Sequence, residues 1–445
     1  MATGLARRWI LAALVLPLAT ACACAGERGA AASAGAGVGG RDGAASGGAT
    51  GPAASVVRPA GTCVAERDLA LADSAVAAAV GEGVVPGAVL LVSCGGEAVH
   101  QRAFGFARLR EASAGGSVVT LAEPIPMTVD HAFDLASVTK VMATTFAMMV
   151  LVDRGAVDLE APVGRYLPEF RGGGKDSVRV RDLLTHRAGL YQWRPTYFYG
   201  ASPGEAYAYI RALPLAFAVG EHHYSDLGFM LLGYLVERVT GSPLDEFVAA
   251  EVYGPLGLEH TAFLPRDAGL GPFAATSHGN PFERRMVEDD AFGYQVDEDP
   301  GTFSGWRTRT LAGEVNDGNA FYTHGGVAGH AGLFSTAADL NVLLALLLGE
   351  GEYRGQRLIR AVTVRRFLQP GADEQGLGWR VSGDAKGDVA SFWHTGFTGT
   401  YVYARPDRRL AVVLLTNRQN LGVDERGYYP DVGPLRRAVV SALSG

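Results

Sequence analysis

The stretch Ala136-Ser137-Val138-Thr139-Lys140 opens an almost wholly apolar segment, residues 141–152, that ends at Asp153-Arg154-Gly155. This pattern predicts a buried helix that ends at a glycine. Residues three positions apart lie on one helix face, so Lys140 can direct its amine toward the Ser137 hydroxyl. Ser137 would also lie at the positive end of the helix dipole. Ser-x-x-Lys alone is equally consistent with a capping serine and a surface lysine, but a lysine that opens a buried helix favours a chemical role.

A serine hydroxyl becomes a good nucleophile when a neighbouring group takes its proton, and a lysine can do this only if its pKa is lowered. A second candidate for the proton transfer is Tyr224, in Tyr224-Ser225-Asp226, directly before a helical pattern over residues 227–239. A lysine ammonium nearby would favour the phenolate form of the tyrosine, which predicts a proton shuttle. By itself the tripeptide is best explained as a helix cap.

A third motif runs from His394 to Thr400, with the sequence His-Thr-Gly-Phe-Thr-Gly-Thr. A strand edge at this place can present backbone N–H groups to an oxyanion, while His394 and Thr395 hold the polar end of a substrate. Considered without the other two motifs, it is only a turn that contains glycine.

Apolar runs at residues 88–93 and 98–107 predict two strands, and residues 401–404 and 410–416 predict a hairpin near the other end of the chain. Between these ends, from residue 137 to about 348, helical patterns dominate. Further helices are expected at residues 68–80, 338–348 and 432–442. The predicted class is therefore α+β, with one antiparallel sheet built from both chain ends, a mostly helical lobe and a cleft between them.

Together the three motifs resemble the Ser-x-x-Lys, Tyr-x-Asn and Lys/His-Thr-Gly set of the class C β-lactamases, DD-peptidases and related esterases. They occur in the same order here. The resemblance extends to residues 183–190, 325–336 and 414–417, and it covers roughly residues 68–443. It implies a β-lactamase/transpeptidase-like fold with the active site in the cleft.

By that resemblance, Ser137 is acylated, Lys140 and Tyr224 move the proton, and water hydrolyses the acyl-enzyme without a cofactor. The oxyanion hole would be formed by the backbone N–H groups of Ser137 and Phe397. The implied substrate-binding residues are Asp226, His394, Thr395 and Gly396. The resemblance favours a serine hydrolase acting on an ester or amide, such as a D-amino-acid peptide, a small ester or a β-lactam. The alternative is a non-hydrolytic module that binds penicillin or peptidoglycan.

Two residues depart from the familiar motifs. Asp226 stands where many members have asparagine, and its charge should keep Lys140 protonated, which favours Tyr224 as the proton-transfer group. His394 stands where typical β-lactamases have lysine, so peptidase or esterase action is favoured over efficient β-lactam hydrolysis. If His394 binds a carboxylate as the imidazolium, kcat/KM for an anionic substrate should fall as the pH rises through ~6–7.

The N-terminal region, residues 1–24, has a basic start, a short apolar run and a small-residue exit, which predicts export. Cys22 follows the run as the lipidated cysteine does in bacterial lipoprotein signals, and the alternative is cleavage after Ala21. Residues 25–60 are rich in Ala, Gly and Ser and predict a flexible tether before a catalytic domain at residues 61–445. The expected location is the periplasm, either free or anchored to a membrane by lipid.

The remaining observations limit the partners. Cys63 and Cys94 could form a disulfide in an oxidising compartment, and two unpaired thiols are the alternative. His324 and His330 flank a glycine-rich run, but they lack a third ligand, so no metal is expected. The net charge of −7 without a basic cluster argues against nucleic acid. We expect a monomer that acts on a small molecule or peptide derived from the cell wall.

Overall fold

The computed structural model describes residues 63–113, 117–294 and 296–444. The predicted signal at residues 1–24, with Cys22, and the predicted tether at residues 25–60 lie outside the described residues. No helix in the described part of the chain is both long enough and apolar enough to cross a bilayer.

A seven-stranded antiparallel sheet dominates the described residues, with the strand order β10-β11-β12-β13-β1-β2-β3. Strand β13 pairs with β1, so the two chain ends build one sheet as predicted. Short ribbons pair β4 with β7, β5 with β6 and β8 with β9. The strands are β1 (Gly87–Cys94), β2 (Glu97–Ala112), β3 (Val118–Pro126), β4 (Phe133–Asp134), β5 (Ala275–His278), β6 (Thr310–Ala312), β7 (Phe334–Ser335), β8 (Glu352–Tyr353), β9 (Gln356–Arg357), β10 (Arg380–Gly383), β11 (Val389–Thr395), β12 (Tyr401–Arg405) and β13 (Leu410–Thr416).

The helices lie mostly between the two groups of sheet strands, which confirms the predicted α+β class with a helical lobe. The predicted helices at residues 68–80, 227–239, 338–348 and 432–442 are observed as α1, α5, α9 and α11. The α-helices are α1 (Glu66–Gly81), α2 (Thr145–Asp153), α3 (Val180–Leu184), α4 (Pro203–Ala212), α5 (Asp226–Thr240), α6 (Leu244–Val248), α7 (Gly254–Leu256), α8 (Pro281–Glu288), α9 (Ala337–Leu348), α10 (Ala361–Phe367) and α11 (Gly433–Leu443).

The sheet is covered on both faces. Leu90 of β1 belongs to a core that includes residues of α1 and α11, whereas its neighbour Leu91 belongs to the core that includes the helical lobe. Successive side chains of a strand point to opposite faces, so a strand buried on both sides is largely apolar, as β1 is from Ala88 to Val92. A disulfide joins Cys63 to Cys94, which decides that open question in favour of the bridge.

The buried helix that follows Ser137 differs from the prediction in its first turn. Lys140–Thr144 forms a π-helical turn, and α2 begins only at Thr145. The Thr145 N–H group bonds to the Lys140 carbonyl five residues earlier, and the Thr145 hydroxyl donates to the same carbonyl at 2.7 Å. The Tyr253 hydroxyl donates to the Met142 carbonyl at 3.0 Å. These bonds from polar side chains satisfy carbonyl groups of the wider turn, and the apolar pattern alone gives no sign of them.

Candidate active site

Ser137 lies just after a backbone turn that is rare for a residue with a side chain. Ala136 has a φ of 45°, in the left-handed region, and its N–H group bonds to the Asp134 carboxylate at 2.8 Å. The second carboxylate oxygen of Asp134 accepts the Asn316 N–H group at 2.6 Å. Burial raises the pKa of Asp134 to about 6. This strained turn, held by a buried carboxyl group, puts Ser137 at the wall of the cleft.

Lys140 is fully buried beneath Ser137. Its Nζ atom lies 2.9 Å from Ser137 Oγ, 3.1 Å from the His330 carbonyl oxygen and 2.7 Å from Asp226 Oδ1. The first two contacts are hydrogen bonds that the ammonium group donates, and the third is an ion pair with the Asp226 carboxylate. Burial disfavours the charged amine, but the neighbouring Asp226 and Tyr224 outweigh it and raise the pKa of Lys140. The resting lysine is therefore an ammonium ion. This agrees with the expectation from Asp226, whose negative charge stands where many family members have a neutral asparagine.

Capping of helix α5 places Asp226 opposite the lysine. The Ser225 hydroxyl accepts the Gly228 N–H group at 3.2 Å and donates to the Tyr191 carbonyl at 2.7 Å. Asp226 is the first residue of α5, where the helix dipole favours a carboxylate. The tripeptide thus acts as a helix cap and also supplies the ion-pair partner of Lys140, so the two interpretations of this motif are compatible.

Tyr224 packs beside the lysine, with Nζ of Lys140 5.1 Å from the ring centroid. The tyrosine hydroxyl interacts with the side chains of both Ser137 and Lys140. Burial raises the pKa of Tyr224, and the attraction of Lys140, which lowers it, does not compensate. The sequence-based expectation of a phenolate is therefore wrong, because it counted the lysine charge but not desolvation or the opposing charge of Asp226. The imidazole of His186 packs against the tyrosine ring with centroids 4.4 Å apart.

Hydrogen bonds join the segment that begins at His394 to the residues just before Ser137. The Thr398 hydroxyl donates to the Asp134 carbonyl at 2.7 Å, and the Thr400 hydroxyl donates to the Leu135 carbonyl at 2.9 Å. A Cβ atom at Gly396 would collide with the Leu135 carbonyl and with the Thr400 hydroxyl, so only glycine fits. The motif thus brings the end of β11 against the backbone that leads to Ser137.

Two backbone donors remain uncommitted at this junction. Within the described residues, neither the N–H group of Ser137 nor that of Phe397 donates a hydrogen bond. The Gly396 carbonyl, which shares a peptide unit with the Phe397 N–H group, accepts bonds from the Gly399 N–H group at 3.0 Å and from Arg436 at 3.3 Å. The Phe397 carbonyl, in the next peptide unit, accepts two bonds from Arg418, at 3.0 Å and 2.7 Å. Both residues line the cleft. The arrangement can supply two donors to a developing oxyanion, the role that the family resemblance implies for them.

His394 occupies a different position from the one that carboxylate binding requires. It is buried behind Tyr224, with ring centroids 6.3 Å apart, and its Nδ1 atom lies 3.0 Å from the Thr395 carbonyl. Burial, together with the charge of Lys140, lowers the pKa of His394 to about 3. Among the described residues, the lining of the cleft includes Asp226 and Phe397 but not His394, Thr395 or Gly396. The geometry favours a neutral imidazole that supports the site from behind.

We therefore expect matched acid and ester substrates to show the same pH profile of kcat/KM between about pH 5 and about pH 8, because a histidine that stays neutral cannot change charge in this range. Steady-state kinetics on a pair that differs only in one carboxylate measures this. A decline through ~6–7 for the acid alone, which His394→Lys removes, would restore the imidazolium as the carboxylate-binding group.

The cleft beside Ser137 has a volume of about 660 Å³. The sequence predicts that its walls come from the loops at residues 193–201 and 273–306, and both contribute. No recognisable motif in the sequence surrounds three polar residues of this wall, Asn280, Glu283 and Asp317, so their place in the cleft is visible only in the structure. Aromatic side chains cover much of the wall: Tyr191, Trp193, Phe282, Phe292, Tyr294 and Tyr429.

The charged side chains that line this cleft are all acidic. Acidic side chains line it, and no Lys, Arg or His side chain is among the described lining residues. Lys140 lies beneath the surface and is neutralised by Asp226. A group that carries a negative charge therefore has no cation to bind at this wall. The acidic lining residues are Asp226, Glu283, Asp290 and Asp317.

The two histidines of the glycine-rich run have separate partners. His330 Nε2 lies 2.9 Å from Asp317 Oδ1, and His324 Nε2 lies 2.6 Å from the Tyr234 hydroxyl. In the described ranges, no group of three or more His, Cys, Asp or Glu side chains is placed to hold a metal ion. His330 instead contributes its backbone carbonyl to Lys140, so this run contacts the pair formed by Ser137 and Lys140.

Sequence comparison finds close relatives. The chain is 37% identical to an N-acetylmuramyl-L-alanine amidase of Bacillus subtilis (strain 168), over 78% of this chain and 80% of that protein. It is 34% identical to a protein of Escherichia coli (strain K12) named as a D-alanyl-D-alanine carboxypeptidase, over 78% of this chain and 82% of that protein.

Solved structures show the same architecture. A penicillin-binding protein homologue from Caulobacter crescentus matches with a TM-score of 0.60 and 20% identity, over 85% of this chain and 99% of that chain. A class C β-lactamase from Rhodobacter sphaeroides matches with a TM-score of 0.58 and 21% identity, over 84% of this chain and 98% of that chain. The sequence profile of the Beta-lactamase family matches residues 72–431. This protein therefore belongs to the Beta-lactamase family and is a serine hydrolase.

Proposed function

We propose that the protein is an exported amidase that hydrolyses an amide bond of a cell-wall fragment through a covalent acyl-enzyme on Ser137. The observation that carries the proposal is the contact of 2.9 Å between Lys140 Nζ and Ser137 Oγ at the wall of the cleft. The names of the relatives from Bacillus subtilis and Escherichia coli support cell-wall amides as the substrate class.

The protonation states favour Tyr224 as the proton shuttle. Because Lys140 donates to Ser137 Oγ, the serine proton is free to point toward the tyrosine oxygen. When Ser137 Oγ attacks the carbonyl carbon, its proton passes to Tyr224, and the phenolic proton of Tyr224 passes to the leaving nitrogen. The tyrosine is neutral before and after this step, so a raised pKa does not prevent it. The ammonium of Lys140 stabilises the negative charge that develops on Oγ.

Deacylation uses the same groups in the opposite direction. Water attacks the ester carbonyl of the acyl-enzyme and gives one proton to Tyr224, while the phenolic proton returns to Ser137 Oγ. The free acid leaves and the serine is restored. In both steps the N–H groups of Ser137 and Phe397 would bind the oxyanion, and one such donor is typically worth ~3–4 kcal/mol in the transition state.

The cleft favours a muramyl-L-alanine amide over a peptide that ends in D-Ala-D-Ala. A carboxypeptidase substrate has a carboxylate close to the scissile bond, and the described lining residues include no Lys, Arg or His to bind it. The aromatic side chains of the wall, such as Trp193 and Tyr294, offer apolar surface on which the faces of a sugar ring can pack. The amide bond between a lactyl group of an amino sugar and L-alanine fits both features.

Purified protein incubated with an N-acetylmuramyl-L-alanyl peptide and with a peptide that ends in D-Ala-D-Ala tests the choice of bond. We expect release of the L-alanyl peptide, detected by mass spectrometry, at a rate at least about tenfold above release of D-alanine, since an unpaired buried carboxylate costs more than 1.4 kcal/mol. Preferential release of D-alanine would instead identify a carboxypeptidase. Tight penicillin labelling without turnover of either peptide would favour the non-hydrolytic binding module.

The proposed location is the cell envelope, with Cys22 as the lipid anchor. Export suits a cell-wall substrate and the disulfide between Cys63 and Cys94. We expect the full-length wild-type protein to partition into detergent and Cys22→Ser to partition into water, because a lipid chain supplies the apolar surface. Phase separation followed by immunoblotting measures this. Wild-type protein that partitions into water would contradict lipidation without contradicting export.

A further inference from the structure

His186 is a buried histidine behind Tyr224 that the reaction described above does not use. Only 3% of its surface is exposed. Its ring packs against the ring of Tyr224, with centroids 4.4 Å apart, and against Phe229 of α5, with centroids 5.2 Å apart. The imidazole therefore forms part of the surface on which the tyrosine ring rests.

Both neighbours of Tyr224 in the chain donate hydrogen bonds to His186. The His223 N–H group donates to the His186 carbonyl at 2.9 Å, and the Ser225 N–H group donates to His186 Nδ1 at 3.0 Å. The first bond needs only the backbone of residue 186, whereas the second needs its side chain. One residue from a distant part of the chain thus holds the peptide groups on both sides of Tyr224.

The bond from Ser225 fixes the tautomer of the imidazole. Nδ1 accepts a hydrogen bond, so the proton of the neutral ring is on Nε2. Burial and the charge of Lys140 lower the pKa of His186, which agrees with a neutral ring. Nε2 is itself buried and has no hydrogen-bond partner in the described part of the chain. A buried N–H group without a partner costs about 1–3 kcal/mol, so packing alone does not account for a histidine here.

The backbone of His186 is strained as well. Its φ is 56°, in the left-handed region that residues with a side chain rarely adopt. Strain of this kind persists only where the surrounding contacts hold it, and it is concentrated at functional sites. The contacts with both flanks of Tyr224 are the contacts that this conformation makes possible.

We propose that His186 is a positioning residue of this active site, which sets the place of the Tyr224 hydroxyl through its bond to Ser225 and its contact with the tyrosine ring. The inference rests on the proposed function in taking Tyr224 as the proton shuttle. Misplacement of a reacting group by about 1 Å can lower a rate by roughly 10²-fold. Loss of the bond should therefore lower kcat far more than it changes KM.

Three variants of residue 186 test the bond and the ring separately, with steady-state kinetics on the p-nitroanilide of an N-acetylated amino acid. His186→Asn keeps an acceptor at the place of Nδ1 and tolerates the left-handed backbone, so its kcat should stay within about fivefold of wild type. His186→Phe keeps a ring without an acceptor, and His186→Gln carries its amide one bond further out. Both should lower kcat by about 10- to 100-fold and change KM by less than about twofold.

The p-nitrophenyl ester with the same acyl group provides a readout that a purely structural role would not change. The nitrogen of the anilide leaves only with the proton that Tyr224 delivers, whereas p-nitrophenolate leaves without one. We expect kcat/KM of His186→Phe, which reports acylation, to fall at least about fivefold more on the anilide than on the ester. Equal losses on the two substrates would overturn the proposal, as would full activity of His186→Phe.

A double variant shows whether His186 acts through the tyrosine. Tyr224→Phe alone should lower kcat/KM on the anilide by at least about 100-fold. Addition of His186→Phe should then change it by less than about twofold, because no hydroxyl remains to be misplaced. Losses that multiply would overturn the proposal. Full activity of Tyr224→Phe would instead reject the proton shuttle and with it the proposed reaction.

His131→Phe is the matched control for loss of a buried histidine. His131 is 4% exposed, and its Nδ1 accepts the Thr128 N–H group at 3.1 Å, in a turn that contains none of the site residues named above. This variant should lose stability in thermal unfolding and keep kcat. A fall in kcat equal to that of His186→Phe would show that any such bond matters alike.

The rate of fluorophosphonate labelling gives a measurement that does not depend on turnover, because Tyr224 must still take the proton of Ser137. Labelling should be slow in His186→Phe and His186→Gln, and close to the wild-type rate in His186→Asn. A normal rate in His186→Phe would reject only the role of His186. Absent labelling of the wild-type protein would reject the nucleophile and thus the proposed function.

Discussion

Ser137→Ala is expected to abolish covalent labelling by fluorophosphonate or penicillin probes and to lower kcat by roughly 10⁴- to 10⁶-fold, the range seen when the nucleophile of a serine hydrolase is removed. The hydroxyl is the atom that forms the acyl bond, and no neighbouring side chain of the site can replace it. The thermal unfolding profile should change little. Ser137 lies at the wall of the cleft, so water can take over as the acceptor for Lys140.

Gel fluorescence after labelling, together with kcat for any turned-over substrate, measures this outcome. Ser74→Ala is the matched control, since Ser74 is exposed on α1, where its hydroxyl bonds to the Ala70 carbonyl and to no other group among the described residues. That variant should be labelled like wild type. Undiminished labelling of Ser137→Ala would show that another residue is the nucleophile and would remove the basis of the proposed reaction.

Lys140→Met is expected to lower kcat/KM by about 10³-fold and to destabilise the fold. The activity falls because the variant lacks the cation that stabilises charge on Ser137 Oγ. Stability falls because the carboxylate of Asp226, 19% exposed, loses the ammonium 2.7 Å away. Breaking a buried ion pair costs about 3–5 kcal/mol, and partial solvation of Asp226 reduces this to roughly 2 kcal/mol. Steady-state kinetics and urea unfolding measure the two effects.

The double variant Lys140→Met with Asp226→Asn separates catalysis from stability. It removes both charges of the pair, so most of the lost unfolding free energy should return, while kcat/KM should stay low because the ammonium is still absent. Recovery of activity in the double variant would mean that Lys140 only compensates Asp226. Unchanged stability of the single variant would contradict the burial of the pair.

The sequence by itself determined the fold class and the three residues at the centre of the site. Strands with alternating or continuous apolar runs at both chain ends require one sheet, because each end has too few strands to bury its apolar faces alone. Ser137 and Lys140 are adjacent through helical geometry, which depends only on their spacing of three residues. Tyr224 was identified through its motif and its place before α5.

Only the tertiary structure decided the protonation states. The pKa of Tyr224 and that of His394 depend on how deeply each group is buried and on which charges lie within a few ångströms, and contacts between distant chain segments set both. The motif places the charge of Lys140 near Tyr224 but gives no measure of desolvation, which raises the pKa of Tyr224. The motif likewise gives no measure of the burial of His394, whose ring lies behind Tyr224.

Only the tertiary structure also decided which residues line the cleft. Glu283 and Asp317 are 34 residues apart in the chain and belong to no periodic pattern, yet both line the cleft that Ser137 lines. The π-helical turn at Lys140–Thr144 depends on side chains such as Tyr253 that reach it from another helix-forming segment. Local spacing determines which residues share a helix face or a sheet face. Long-range packing determines burial, and burial in turn determines which groups carry a charge and which substrate the cleft can accept.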